Sequence, residues 1–297
     1  MRIIISPAKN MTIDTDSLNY NQLPDFMKET EELYKYVKGL TYEELKSLWK
    51  CSDKIATLNY ERLHSLDLYE QLTPAILSFE GIQYQYMAPG VFESQELEYI
   101  EKHLRILSGF YGILRPFDGV IPYRLEMGTK FKNDLQKNLY EFWNVKLANQ
   151  LASETDCIVN LASKEYSKVI SRHLDEGVKF VTCVFGEMVG EKVVEKGTLA
   201  KMARGEMVRY MAENGIEKVE EIKSFPYLNY GFSEHLSDDN TYIFIKNLQT
   251  QKGRGTDKYA ESKKNTGKGS NQKLQCVEFH RGLRGRKSLH RREFRNG

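Results

Sequence analysis

CIVNLASKEYSKVISRHL, Cys157 to Leu174, carries the pattern that decides the fold. It opens with a short continuous apolar run, the mark of a strand buried on both faces. KEYSKVISRHL, which follows, reads as a helix, with Ser163 at the junction. A strand passing directly into a helix is the repeating unit of layered α/β proteins.

The same logic extends in both directions. RIIIS, from Arg2, predicts another buried strand, closed by Ser6-Pro7. Pro7 biases Ser6 toward extended geometry, and AKN then makes a loop. VKFVTCVF, EKVVEK and TYIFIKN predict further strands. Helical spacing appears over residues 24–38, with Phe26, Leu33, Tyr34 and Val37 toward the core. Thr41 and Glu44 form a T-x-x-E capping box ahead of Leu45 and Leu48. After a break at Cys51-Ser52, DKIATLNYERLH makes a second helix, so Thr41 to His64 is a helix–short turn–helix unit. Ser94 is the expected cap of a helix with Leu97, Ile100, Leu104 and Leu107 on one face. Asn138 to Ala152 reads as one helix, and TLAKMARGEMVRYMAENG as another, ended by Asn214-Gly215. The alternation predicts a mixed α/β (α+β) fold with a central mixed sheet surrounded by helices. The glycine fingerprint of a dinucleotide-binding fold is missing.

Charge divides the chain. The net charge is +2 over 297 residues. From Gln249 onward there are 14 Lys and Arg against 4 Asp and Glu, or +10; residues 1–248 carry 29 against 37, or −8. We therefore expect one domain over 1–248 and a basic, low-complexity, disordered tail over 249–297. Apolar runs such as IVNLA and YIFI are too short for a bilayer. MRIII lacks a signal-peptide pattern, so a cytoplasmic location without membrane association is expected. The four cysteines show no CxxC or His pairing, and no metal or cofactor is expected.

Five places carry candidate chemistry. Lys9, in the loop after RIIIS, reads as an anion ligand or as an ordinary loop lysine. Lys54 and Arg62 sit on the helix–turn–helix unit. They suit contact with a nucleic-acid backbone, although the turn lacks the glycines used for close phosphate approach, and two packed surface helices fit as well. LSGFYGILRPFDGVIPYRLEMG, Leu107 to Gly128, crowds glycines and prolines around Arg115 and Arg124, with Arg105 just before it. These arginines present forks to an anion or pair internally with Asp118, Glu126 or Glu101. Ser163 and Lys164 open a helix, where an anion site and simple capping are both available. Lys201 and Arg204 share a helix face, as a solvated basic face or an anion contact. The aromatic cluster FPYLNYGF suits base stacking or core packing. No GxSxG, Walker loop or HExxH occurs, so no catalytic motif identifies an enzyme.

Taken together, ISPAKNM, SDKIATLNYER, the Leu107–Gly128 stretch, LYEFW, IVNLASKEY and KMARG, in this order, resemble the YaaA family of bacterial peroxide-stress proteins. The resemblance spans nearly all of residues 1–247 and leaves the tail without a counterpart. It implies a cytoplasmic protein that keeps free intracellular iron low and limits oxidative damage under peroxide. It also implies an α/β fold with a helix-hairpin-helix element and a positively charged cleft for duplex DNA. Carried over by motif, the DNA contacts would be Lys9, Lys54, Arg62, Arg115, Arg124 and Lys164, with Lys201 and Arg204 as weaker additions. The alternative is an enzyme acting on a small anionic metabolite in the same cleft, with Lys9, Ser163 and Arg124 orienting it. The sequence leaves the oligomeric state open.

Overall fold

Ile3, Ile4 and Ile5 have no exposed surface, which places the first strand in the middle of a sheet covered on both faces. The structure, a computed structural model, describes residues 1–130 and 137–247, all within one compact unit. The tail expected over 249–297 lies outside the described residues. No helix among the described residues is long and apolar enough to cross a membrane.

In chain order the strands are β1 (Arg2–Ile5), β2 (Asn10–Met11), β3 (Thr73–Pro74), β4 (Phe79–Glu80), β5 (Leu104–Ser108) and β6 (Gly112–Leu114). They continue with β7 (Gly119–Val120), β8 (Cys157–Leu161), β9 (Lys179–Val189), β10 (Lys192–Val194), β11 (Tyr230–Phe232) and β12 (Thr241–Lys246). The helices are α1 (Met27–Lys38), α2 (Tyr42–Trp49), α3 (Asp53–Ser65), α4 (Ala75–Ser78) and α5 (Ile82–Met87). After them come α6 (Ser94–His103), α7 (Leu139–Trp143), α8 (Lys146–Glu154), α9 (Lys164–Ser171) and α10 (Gly197–Glu213).

The main sheet runs β11-β12-β9-β8-β1-β5-β6, with β10 added to β9. Its five inner strands are parallel, and β11 and β6 are antiparallel edges. Ile3 lies between Leu104 and Val159, so the apolar runs of three strands stack in register. The connection from β1 leads to β5 on one side, whereas β8 leads through α9 to β9 on the other. Loops leaving β1 and β8 therefore part at the carboxyl end of the sheet. Such a switch point opens a crevice in parallel sheets.

The central mixed sheet with surrounding helices is as the sequence predicts, and the Thr41–Glu44 capping box forms. Three local expectations are corrected. The helix expected through Leu107 stops at His103, because Leu104 to Ser108 pair with β1 as β5. Leu104 and Leu107 continue the helical spacing, but the sheet's backbone hydrogen bonds outweigh it. The cap of α6 is Glu93, reciprocated by Glu96, and Ser94 is the first helical residue. The single helix expected over Asn138 to Ala152 is two, α7 and α8, broken at Asn144, whose φ is 44°.

The Leu107–Gly128 stretch serves the interior. Gly109 lies so close to the next turn that a Cβ would sit 2.5 Å from the Leu125 carbonyl oxygen. The Trp143 indole donates to the Gly109 carbonyl at 3.0 Å. Arg105 is buried and its guanidinium donates to Glu154, at 2.9 Å from Nε and 2.8 Å from Nη2. The partner is Glu154 rather than the Glu101 carboxylate; Glu101 contributes only its carbonyl oxygen.

Arg115 pairs with Asp25 at 2.6 Å and with Asp118 at 3.7 Å. Asp118 is buried; it accepts from the Arg115 amide and from Gln22. Burial dominates its titration, pushing its pKa up to about 7 against the pull of those donors and of Arg115. The folded protein thus holds a proton that an unfolded chain releases near pH 4. Stability falls as pH rises through that window. Asp118→Asn is expected to flatten this fall, and urea denaturation of both proteins at pH 5 and pH 7.5 checks it; parallel profiles would exclude Asp118 as the source.

Candidate functional site

A cleft of about 490 Å³ occupies the switch point. Four segments and one helix wall it: the Ser6–Asn10 loop, Glu80–Tyr84, Tyr123–Glu126, the start of α9, and α10 through Lys201 and Arg204. Ser6 and Ser163 join its two sides. The Ser163 amide donates to Ser6 Oγ at 2.8 Å, and Ser6 Oγ donates to Ser163 Oγ at 3.2 Å. The Tyr84 hydroxyl donates to the Ser6 carbonyl at 3.1 Å. Burial raises the pKa of Tyr84, Tyr123 and Tyr166 well above the ordinary phenol value, so all three keep their protons.

The cleft's cations are unevenly compensated. Lys9 is 65% exposed and meets Glu126 at 2.7 Å. The Arg124 side chain is only 8% exposed, and its nearest carboxylate, Glu126, is 3.6 Å away, beyond a good hydrogen bond. Arg204 reaches Glu195 through Nη2 at 3.1 Å. The Nε atoms of Arg124 and Arg204 and the Nε2 of Gln83 are buried without a hydrogen-bond partner among the described residues. Three orphaned donors in one cleft leave desolvated polar groups uncompensated, a cost that an anionic ligand would remove.

Of the candidates read from the sequence, Lys9, Arg124, Ser163, Lys201 and Arg204 line this cleft, and the other four do not. Arg115 is held by Asp25 and Asp118 on another face of the same stretch. Arg62 donates to the Met11 carbonyl at 3.1 Å, from α3. Lys54 is exposed on α3, and Lys164 is exposed just outside the cleft. The α2–α3 unit is fastened across its turn by a Lys46–Asp53 ion pair. The FPYLNYGF aromatics divide: Phe225 and Tyr230 are buried and meet Phe185 edge-on, Phe232 is half-buried, and Tyr227 is exposed.

Sequence reasoning assigned no part to Gln83 and Tyr84. They come from a short helix without strong periodicity, brought to the cleft by packing of α5 on α10. Glu126 and Glu165 were also missed as cleft residues; Glu165 accepts the Gly128 amide at 2.7 Å and ties the Tyr123–Gly128 segment to α9. Among the described residues, no group of three or more His, Cys, Asp or Glu is arranged to hold a metal ion. Burial raises the thiol pKa of Cys157, and it pushes that of Cys183 up to about 12, so neither is poised as a reactive thiolate. A second cavity, of about 530 Å³, is lined by Leu18, Leu97 and Phe117 with Glu98, Glu101 and Lys102; Lys102 is paired with Glu217 at 2.9 Å, so the two lining carboxylates disfavour an anion there.

Comparison with known proteins agrees with the motif order. A family model described as peroxide stress protein YaaA matches residues 1–236. A UPF0246 protein of Lachnoclostridium phytofermentans is 57% identical over 246 residues, covering 83% of this chain and 96% of that protein. A UPF0246 protein of Pediococcus pentosaceus is 54% identical over 247 residues, covering 83% and 98%. One from Agathobacter rectalis is 53% identical over 248 residues, covering 84% and 100%.

Proposed function

The chain belongs to the YaaA family of peroxide stress proteins, and from that membership and the cleft's chemistry we propose that it serves the peroxide-stress response by binding a phosphate- or carboxylate-bearing ligand beside Arg124 and Arg204. The observation that carries this reading is the pair of arginines whose buried Nε–H donors have no partner among the described residues. Arginine is weakly hydrated and forks onto planar or tetrahedral anions, so a partner for such a group comes at low desolvation cost. Lys9 and Lys201, at the mouth, add attraction without close pairing to the ligand.

Arg124→Gln tests this. A structural ion pair would lose stability on substitution. A binding arginine held 3.6 Å from its nearest carboxylate should lose little, within about 1 kcal/mol, and the ligand-free variant should melt near the parent. Saturating anion should stabilise the parent by about 2.7 kcal/mol at a hundred times Kd and leave the variant unmoved. Equal anion shifts in both proteins, read by thermal melting, would overturn the proposal.

Duplex DNA is the second reading, with the limiting of free iron as its cellular outcome. The exposed Lys54 on α3 and the exposed Lys9 and Lys201 at the mouth favour it. The rim carboxylates Glu80, Glu126 and Glu165 work against a long polyanion. Duplex binding across a salt series, by the full chain and by residues 1–248, separates the body from the basic tail. A salt slope that survives removal of the tail and falls with Lys9 and Lys54 substitution supports DNA; loss of binding with the tail removes it.

A further inference from the structure

The start of α9 is tied to the loop after β1. Ser163 has the backbone geometry of a cap, with φ −70° and ψ 159°, yet its side chain caps nothing. Its oxygen instead receives the Ser6 hydroxyl proton, because Ser6 Oγ is already occupied as acceptor by the Ser163 amide. The Ser163 hydroxyl proton is therefore not engaged by Ser6, and the Ser163 side chain makes no hydrogen bond to the first amides of the eight-residue helix. Two buried side chains with a donor left over among the described residues line the same cleft: Arg124, 92% buried with its Nε unpartnered and its nearest carboxylate 3.6 Å away, and Gln83, 7% exposed with its amide nitrogen unpartnered.

We infer that the cleft is built for a terminal phosphoryl group, a phosphomonoester dianion seated at the α9 N-terminus. The Ser163 hydroxyl and the opening amides of α9 meet one side of it, and Arg124 meets another. This assignment rests on the anion-binding reading of the same cleft and names its ligand class. A carboxylate offers two oxygens in one plane, too few for a hydroxyl, free helix amides and a guanidinium edge converging from different directions. A phosphoryl group offers three terminal oxygens in tetrahedral array, and helix N-termini favour its charge. A diester keeps only two free oxygens and must send chain out on both sides, past Glu80, Glu126 and Glu165. Gln83 then donates to a carbonyl or hydroxyl oxygen of the group esterified to the phosphate.

The test uses the full chain and four probes of stated chemistry at constant ionic strength: inorganic phosphate, methyl phosphate, dimethyl phosphate and acetate. Calorimetric titration is expected to give methyl phosphate at least tenfold tighter binding than dimethyl phosphate or acetate. Ser163→Ala should lose at least tenfold for methyl phosphate, and Ser163→Thr should restore it. In the parent protein, amide resonances of Lys164 and Glu165 should move most on adding inorganic phosphate, a readout independent of any variant. Because the tail is common to every variant, its own attraction for anions cancels in the parent-to-variant ratios for each probe. If acetate and methyl phosphate bind alike and both weaken in Arg124→Gln, the anion cleft stands and the phosphoryl assignment falls. If Ser163→Ala changes nothing, or the Lys164 and Glu165 amides stay still, the assignment likewise falls. If no probe binds the parent protein, the anion cleft falls with it.

Discussion

Gly205→Ala should unfold the chain roughly 10 °C below the parent, a loss of about 4 kcal/mol. Gly205 lies in α10 where that helix crosses α5, and the contact is backbone on backbone. A Cβ there would sit 2.1 Å from the Gln83 carbonyl oxygen and 3.0 Å from both the Gln83 carbonyl carbon and the Met87 nitrogen. No side chain can rotate away to relieve this, so the helices must separate. Separation would also draw Gln83 from Arg204, one residue before Gly205, and so widen the cleft. Anion binding should weaken together with stability. Gly197→Ala is the control: it lies in the same helix with nothing within 4 Å of its added carbon. That variant should melt at or slightly above the parent temperature. An unchanged melting temperature for Gly205→Ala would show that the close approach of α10 to α5 is not what holds the cleft wall.

Glu154→Ala is expected to cost about 3–5 kcal/mol. One carboxylate oxygen of Glu154 accepts from Arg2 at 2.7 Å and from two nitrogens of Arg105, at 2.9 and 2.8 Å. The Arg105 side chain is 6% exposed, and without Glu154 it keeps only the Leu104 and Glu101 carbonyls as acceptors. Burial already lowers the Arg105 pKa, so this is the group stranded by the substitution. Burial also works against the Glu154 carboxylate, but the Arg2 and Arg105 donors outweigh it and hold its pKa below the ordinary glutamate value. Its contribution is therefore present above the unfolded glutamate pKa, near 4.3, and is lost as pH falls through the lower folded value. Guanidinium denaturation at pH 7 and pH 3 should show a wide gap between parent and variant at pH 7 that narrows at pH 3. A constant gap would mean that packing, not charge, sets the cost.

The inner strands were legible because each carries a short apolar run: III in RIII at the start, CIV before α9, and YIFI in TYIFIK at the end of the described residues. The Thr41–Glu44 box was legible because capping is local chemistry within four residues. Family membership was legible as well, since ordered motifs survive without any knowledge of the fold. Leu104 to Ser108 was misread because leucine spacing fits a helix there, and only the presence of β1 alongside makes it a strand. The bend at Asn144 left no signal that outweighed the apolar spacing on either side.

The candidate site divides in the same way. Lys9 and Ser163 were visible as polar residues just past predicted strands, where parallel sheets place their ligands. Arg124 and Arg115 looked equivalent in sequence, nine residues apart among the same glycines and prolines. Asp25, far away in the chain, claims Arg115, while Arg124 lines the cleft, largely buried and 3.6 Å from its nearest carboxylate. Sequence by itself determined the strands that carry a short apolar run, the start of α2 at its capping box, and the family to which the chain belongs, because those properties depend on neighbours along the chain. Tertiary structure alone decided which cations meet and which are neutralised, because burial and pairing are set by residues distant in sequence and brought within a few ångströms by the fold.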